Sequence, residues 1–354
     1  MEINEHNMEI KEHKEKNHIE QETSGGRHHM DRGRHHIEIK KLSKEIIGGR
    51  RLTRQDDLTF FATAVLKELY DGANEIRKAL CGDTVDLCSI INGKSGGCSE
   101  DCKFCAQSSH NHTGISEYSL LDTDTILADC KKHEGKGVHR YSIVTAGRTL
   151  TRKELETVCG AYKRMKEECS ISLCASHGLL SADAFAALKQ SGVSMYHENI
   201  ETSKRNFPNI CTTHTYEDKL QAIRLAQNAG LKVCSGGIIG MGETFEDRMD
   251  MAVSLAELGI ESIPINALMP IKGTDYENLR QLTENEILRT IAMFRFINPT
   301  ARIRLAAGRI LMENSGQKAF SAGANATITG DLLTTSGNNI EEDKGMLMEL
   351  GFQI

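Results

Sequence analysis

The chain has 354 residues, enough for one large α/β domain or two smaller ones. Its net charge of -6, with 5% aromatic residues and no Trp, provides neither the basic surface nor the stacking side chains that nucleic-acid binding uses. No apolar run approaches the roughly 20 residues of a membrane span, and the start of the chain lacks the apolar core of a secretory signal. We therefore expect a cytoplasmic protein with no nucleic acid or membrane as partner, whose 11 cysteines are reduced metal ligands or core residues.

Residues 1–41 differ in composition from the rest of the chain. They are charged and poor in apolar residues, so they cannot bury enough apolar surface to offset the entropy lost on ordering. We predict a disordered tail over residues 1–41 and one folded domain over residues 42–354. Half of the 14 histidines lie in this tail, namely His6, His13, His18, His28, His29, His35 and His36.

The folded part alternates between two kinds of segment. Residues 52–82 have apolar residues at helical spacing, with Thr53 as a predicted N-cap. Strands that alternate with amphipathic helices indicate parallel βαβ units, and eight of them predict a (β/α)8 barrel, with a doubly wound open sheet as the alternative. Active sites of such barrels lie at the C-terminal ends of the strands. The predicted strands are 85–91, 139–145, 170–176, 194–200, 232–238, 261–268, 302–308 and 326–330.

The stretch GGCSEDCKFCAQSS, residues 96–109, places Cys98, Cys102 and Cys105 in a loop after the first predicted strand. A tetrahedral zinc site needs four ligands, and no fourth lies nearby at a zinc-ribbon spacing. Three thiolates can hold three irons of a 4Fe–4S cluster and leave the fourth iron for a small molecule. S-adenosylmethionine suits that position, because its amino and carboxylate groups chelate iron and its sulfonium can be cleaved by an electron to a 5′-deoxyadenosyl radical.

The chain resembles the radical S-adenosylmethionine superfamily, whose hallmark is CxxxCxxC, and within it the biotin synthase family. The resemblance covers about residues 50–354. It implies a homodimeric (β/α)8 barrel that converts dethiobiotin to biotin, with sulfur from an auxiliary iron–sulfur cluster and electrons from a flavodoxin- or ferredoxin-type donor. The segments that carry it are INGKSGGCSEDCKFCAQSS, NFPNICTTHTYEDK, KVCSGGIIGMGETFEDR, ESIPINALMPIKGT, IRLAAGR and AGANATITGDLLTT.

The resemblance also implies binding residues. Asn266 and His197 would lie at the ureido ring of dethiobiotin. Glu201 stands where the family often has Asp, and Lys219 stands where it often has Arg, so a bidentate contact would become a point charge. The small residues of GGIIGMGE would let the backbone approach a flat adenine or ribose. The S-adenosylmethionine site would comprise Asn199, Glu201, Lys219, Gly236, Gly237 and Glu243.

The second cluster departs from the family pattern, in which three strand cysteines and one arginine hold a 2Fe–2S unit. The matching positions here are Ser142, Cys174, Cys234 and Arg304, so one thiolate is replaced by a hydroxyl that is hard to deprotonate. Arg304 is expected beside the cluster, but its role as a ligand is then open.

Two further cysteines occur where that pattern has other residues, Cys88 in the first predicted strand and Cys211 after the fourth. Strands one, three and five share layers of a barrel interior. Our hypothesis is an auxiliary cluster, of the 2Fe–2S or a four-iron type, held by Cys88, Cys174, Cys234 and Cys211. The alternative is that Cys88 and Cys211 are small buried apolar side chains.

Two other functions fit parts of the pattern. One is a radical enzyme of the hydrogenase-maturation or methylornithine-forming type, which would share the three-cysteine motif. The other is an iron–sulfur electron carrier with no substrate, although a carrier usually encloses its cluster with a full ligand set.

Overall fold

The structure, a computed structural model, describes residues 39–333 and 337–354. All strand pairs in this part of the chain are parallel, in the order β5-β4-β3-β2-β1-β9-β8-β7-β6, and β5 also pairs with β7. This last pairing closes the sheet into a barrel, so the predicted (β/α)8 barrel is confirmed and the open sheet is excluded. The strands are β1 Asp86–Lys94, β2 Arg140–Thr145, β3 Ser172–Ser176, β4 Met195–His197, β5 Lys232–Cys234, β6 Gly237–Ile239, β7 Ser262–Ala267, β8 Arg302–Leu305 and β9 Ala326–Ile328.

A helix follows each strand position of the barrel. Four of these helices begin with a capping box, in which a Thr and an acidic residue three positions later satisfy each other's backbone N–H groups. None of the helices within the described residues is long and apolar enough to cross a membrane. The helices are α1 39–47, α2 Phe60–Thr63, α3 Leu66–Cys81, α4 Thr123–Gly135, α5 Arg152–Glu168, α6 Ala182–Gln190, α7 Phe207–Ile210, α8 Tyr216–Asn228, α9 Phe245–Glu257, α10 Glu284–Ile297, α11 Gln317–Ser321 and α12 Ile340–Glu349, with 3-10 turns at Arg309–Leu311 and Glu313–Gly316.

At the start of the folded domain, the structure differs from the sequence predictions at residues 39–41 and at Thr53. The prediction of disorder over residues 1–38 lies outside the described residues, whereas 39–41 belong to α1, where Ile39 is buried. The prediction of an N-cap at Thr53 is wrong, because α3 begins only at Leu66. The Thr53 N–H donates to Asp56 Oδ2 at 2.8 Å, and Asp56 is also paired with Arg50, so this segment forms a turn.

β5 and β6 are two halves of one barrel strand, interrupted at residues 235–236. A Cβ at Gly236 would lie 1.9 Å from the carbonyl oxygen of Pro264 on β7, so the two backbones approach closer than any side chain allows. The fifth strand position is therefore bent where it meets β7.

The C-terminal helix is fastened to the barrel by a buried ion pair. Arg309, just after β8, donates to Asp343 on α12 through two hydrogen bonds of 2.9 and 2.7 Å. The Arg309 side chain is 6% exposed and that of Asp343 is 1% exposed. Removing the carboxylate would leave a buried guanidinium without its counter-charge.

We predict that Asp343→Ala lowers the free energy of unfolding by roughly 3–5 kcal/mol, because breaking a buried pair leaves an uncompensated charge. The matched control is Asp71→Ala, which removes an i,i+4 pair with Lys67 whose side chains are 67% and 82% exposed. That change should cost about 0.5 kcal/mol or less. Urea denaturation measures both, and equal effects would contradict this account of α12.

Candidate functional site

The cysteine loop that follows β1 is closed by hydrogen bonds to its backbone carbonyls. The Cys98 N–H donates to the Gln107 carbonyl at 3.0 Å. The Asn111 amide donates to the carbonyls of Cys102 and Cys105 at 3.2 and 2.8 Å. Burial raises the pKa of the Cys105 thiol to about 11, and the charge of a Cys98 thiolate adds to this rise. These hydrogen bonds hold the three cysteines in one loop at the C-terminal end of β1.

Cys211 lies beside this loop, immediately after α7. Its Sγ is 3.8 Å from Cys102 Sγ, 3.1 Å from Asp101 Oδ1 and 3.2 Å from His214 Nδ1. The sequence hypothesis places Cys211 with the ligands in the barrel interior, whereas its contacts in the structure are with the cysteine loop and His214. The physical reason is the contact between α7 and the loop, in which the Lys103 N–H donates to the Ile210 carbonyl at 3.0 Å.

Two residues predicted to bind S-adenosylmethionine, Lys219 and Glu201, lie near the cysteine loop, and a third, Asn199, contacts Gly236. Lys219 on α8 donates to Glu198 Oε1 at 2.6 Å. Its positive charge opposes the rise in the pKa of the Cys102 thiol. Glu201, after β4, has a φ of 67° and lies near enough to Cys105 to raise the pKa of that thiol. Burial and the neighbouring Glu198 raise the pKa of Glu201, and Lys219 opposes the rise. Asn199 accepts a hydrogen bond from the Gly236 N–H at 3.0 Å.

Gly237 and Glu243 of the GGIIGMGE segment are in contact with other protein groups. A Cβ at Gly237 would lie 2.3 Å from the Glu201 carbonyl, so this glycine serves backbone packing, as Gly236 does. Glu243 accepts from the N–H groups of Gly240 and Met241, both at 2.7 Å, and pairs with Arg248. Its carboxylate thus shapes the turn after β6, a role that sequence reasoning did not assign to it.

The barrel interior contains a second group of thiols. Cys88, Cys174 and Cys234 are 7%, 3% and 7% exposed, and Cys174 and Cys234 pack with Met195. Burial raises the pKa of Cys88 to about 11 and that of Cys174 to about 12. The charge of a Cys234 thiolate contributes to both rises. Ser142 is buried opposite Cys174 in the register of β2 and β3.

Two arginines face these inner thiols. Arg304 is 2% exposed, donates to the Thr327 carbonyl at 3.0 Å and is paired with Asp86. Arg140 has a buried Nε that has no hydrogen-bond partner among the described residues. Both guanidinium charges oppose the rise in the pKa of Cys88. A buried donor without a partner, beside three thiols, fits an anionic group such as an iron–sulfur cluster.

Sequence reasoning missed Arg140, although it lies two residues before Ser142 and therefore on the same face of the strand.

The two residues expected at the substrate lie at different places on the barrel. His197 is opposite Cys234 in the register of β4 and β5. Burial lowers the pKa of His197, but the hydrogen bond with Cys234 and the negative charges of Cys234, Glu198 and Glu201 together outweigh that effect and raise it. Asn266 donates to the Gly237 carbonyl and accepts from the Ala307 N–H, both at 3.1 Å, so its amide joins three strand positions.

Comparison with known proteins agrees with this architecture. Residues 94–255 match the Radical SAM superfamily, and residues 264–353 match the Biotin and Thiamin Synthesis associated domain. The crystal structure of methylornithine synthase superposes with a TM-score of 0.76 at 20% identity, covering 88% of this chain and 96% of that one. This last likeness shows the fold alone.

Sequence relatives are much more similar. A protein of Alkaliphilus metalliredigens named biotin synthase is 77% identical over 318 residues, which cover 90% of this chain and 100% of the relative. A protein of Clostridium beijerinckii with the same name is 65% identical over 316 residues, covering 89% of this chain and 100% of the relative. The chain therefore belongs to the biotin synthase family of the radical S-adenosylmethionine superfamily.

Proposed function

We propose that this chain is a radical sulfurtransferase that converts dethiobiotin to biotin. The observation that carries the proposal is the presence of two separate thiol groups in one barrel, one in the loop after β1 and one in the interior. Cleaving S-adenosylmethionine needs one thiol-held cluster, whereas supplying sulfur needs a second one. A methylornithine-forming or hydrogenase-maturation activity is not favoured, since the sequence relatives at 77% and 65% identity are named biotin synthase.

The cofactors of this family are a 4Fe–4S cluster, S-adenosylmethionine and an auxiliary iron–sulfur cluster. When bound, they supply the electron, the carbon radical and the sulfur of the reaction. Cys98, Cys102 and Cys105 are our proposed ligands of the first cluster. They share one hydrogen-bonded loop, and three thiolates would leave one iron of a cube for S-adenosylmethionine.

Lys219 and Glu201 are our proposed contacts for S-adenosylmethionine. The side chain of Lys219 is 12% exposed, and that of Glu198, which accepts its hydrogen bond, is 4% exposed. This ion pair fixes the ammonium group beside Cys102, where it can bind a carboxylate as a point charge. The amide of Asn199 and the carboxyl of Glu201 provide hydrogen-bond groups on the same side, while Gly236, Gly237 and Glu243 hold the backbone around them.

Cys88, Cys174 and Cys234 are our proposed ligands of the auxiliary cluster, with Cys211 removed from the set that the sequence suggested. Arg304 and Arg140 compensate the charge of three thiolates, which could not otherwise remain ionised in the barrel interior. Because the Cys88 thiol takes the place of the thiol that Ser142 lacks, the ligand set differs from the usual pattern of the family.

Dethiobiotin would bind between the two thiol groups, with His197 and Asn266 in contact with its ureido ring. His197 lies beside Cys234, one of the inner thiols, so it could orient the substrate toward the sulfur source. We further propose a homodimer that works in the cytoplasm with a flavodoxin- or ferredoxin-type electron donor. The resemblance to the family supports these partners.

The proposed reaction predicts that radical formation depends on the substrate. Anaerobically reconstituted protein, given a strong reductant and S-adenosylmethionine, should release 5′-deoxyadenosine at a rate that rises when dethiobiotin is added, and biotin should form. Cys105→Ala should abolish both products, because it removes a ligand of the first cluster. Chromatographic quantification of both products measures this.

The outcomes separate the alternatives. Release that is independent of dethiobiotin would indicate another radical enzyme of this barrel type. No release from the reconstituted protein would indicate an electron carrier. Either result would contradict the proposed reaction.

The proposed auxiliary ligands predict that one substitution removes one cluster selectively. Cys88→Ala should lose the iron and sulfide of the inner cluster and keep those of the first cluster, as counted chemically and by Mössbauer spectroscopy. The matched control is Cys159→Ala, which removes a buried thiol on α5. The control should keep both clusters. An auxiliary signal that is unchanged in Cys88→Ala would remove Cys88 from the ligand set.

A further inference from the structure

Three side chains lie close together at the cysteine loop, namely Cys102, Cys211 and His214. Cys211 and His214 have no role in the proposed reaction. Cys102 Sγ, Cys211 Sγ and a ring nitrogen of His214 all lie within 4.8 Å of one another. Cys211 and His214 are 2% and 7% exposed, so both are held in the protein interior. Thiols and imidazoles in such a group are the usual ligands of zinc and of ferrous iron.

The separations match one shared metal ion. In tetrahedral geometry, metal–sulfur bonds of about 2.3 Å place two sulfurs about 3.8 Å apart. The observed distance between Cys102 Sγ and Cys211 Sγ is 3.8 Å, and Cys211 Sγ lies 3.2 Å from His214 Nδ1. Two thiolates bound to different irons of a cube lie farther apart than this. Cys211 is therefore placed to share a single ion with Cys102, and not to complete the ligand set of a 4Fe–4S cluster.

The surroundings of this group favour a cation. Glu100 Oε2 lies 2.6 Å from His214 Nδ1, and Asp101 Oδ1 lies 3.1 Å from Cys211 Sγ. Glu100 contacts the same ring nitrogen that would bind the ion, so its carboxylate would lie beside the ion as a counter-charge. On binding, the ion would displace the proton shared by His214 and Glu100 together with the two thiol protons, and the two carboxylates would remain as compensating charges.

We propose that the cluster-free chain binds one divalent thiophilic cation, of the class of Zn²⁺, Fe²⁺ or Co²⁺, through Cys102 Sγ, Cys211 Sγ and His214 Nδ1. Three protein ligands leave a fourth position for water. Because Cys102 is also a proposed ligand of the 4Fe–4S cluster, the single ion and the cluster exclude each other. The site does not depend on the proposed reaction, since it requires neither S-adenosylmethionine nor substrate.

The test is an anaerobic titration of the full-length apoprotein with Co²⁺, followed by absorption spectroscopy. Thiolate ligands give charge-transfer bands in the near ultraviolet, and tetrahedral Co²⁺ gives intense visible bands. Two isosteric variants distinguish the site: Cys211→Ser removes a proposed ligand, whereas Cys98→Ser removes a cluster cysteine outside the group. The inner thiols and the histidines of residues 1–38 are the same in both variants, so their contribution cancels in the difference spectrum.

Losing an outer-shell partner weakens metal binding by roughly 10- to 100-fold, and Cys211→Ser should weaken Co²⁺ binding by more than this because it removes a ligand. The Co²⁺ affinity of Cys98→Ser should stay within about twofold of that of the unchanged chain. Protein that carries the 4Fe–4S cluster should lack these bands. Binding that survives in Cys211→Ser, or that is lost in Cys98→Ser, would overturn the proposal. Cluster formation measured separately in Cys211→Ser should stay intact, which separates a failure here from a failure of the proposed reaction.

Discussion

The candidate site depends on the contact between the loop after β1 and the chain that connects β4 to α8. Lys103 N–H donates to the Ile210 carbonyl at 3.0 Å, and Asp101 accepts from the Thr212 N–H at 2.8 Å. These bonds hold the cysteine loop over the C-terminal end of β4. Cys102 is thereby brought near Lys219, although the two are more than 100 residues apart in sequence. The proposed cluster ligands and the proposed cofactor contacts come from separate βα units, and this contact joins them.

A second constraint acts inside the barrel, where thiols without positive neighbours would remain protonated. Asp86, at the start of β1, organises the compensating charges because it pairs with Arg304, Arg302 and Arg140. Burial raises the pKa of Asp86, but the arginines outweigh this effect and lower it, so the carboxylate stays ionised. The acid holds the guanidinium groups in place beside Cys88. The same arrangement that stabilises the interior therefore also prepares it for an anionic cluster.

Much of this fold follows from local sequence patterns. Eight apolar runs marked the strand positions. The capping boxes at Thr151, Thr215, Thr244 and Thr283 are also local, since each joins residues three positions apart. What local patterns could not supply were contacts between distant segments. The place of Cys211 depends on how α7 packs against the cysteine loop, and Gly236 and Gly237 are small because Pro264 and Glu201 approach them. The strand face of Arg140 follows from its spacing to Ser142, but its position near thiols of other strands depends on the folded barrel.

In the proposed function, Cys98, Cys102 and Cys105 would hold a cluster in which one iron has no protein ligand and could bind S-adenosylmethionine. Electron–nuclear double resonance on the reduced cluster tests this directly, with S-adenosylmethionine isotopically labelled at its amino nitrogen or its carboxylate oxygen. We predict hyperfine coupling from both labels, since each atom would be bonded to that iron. A fully formed cluster that shows no coupling to either label in the presence of saturating S-adenosylmethionine would contradict the account.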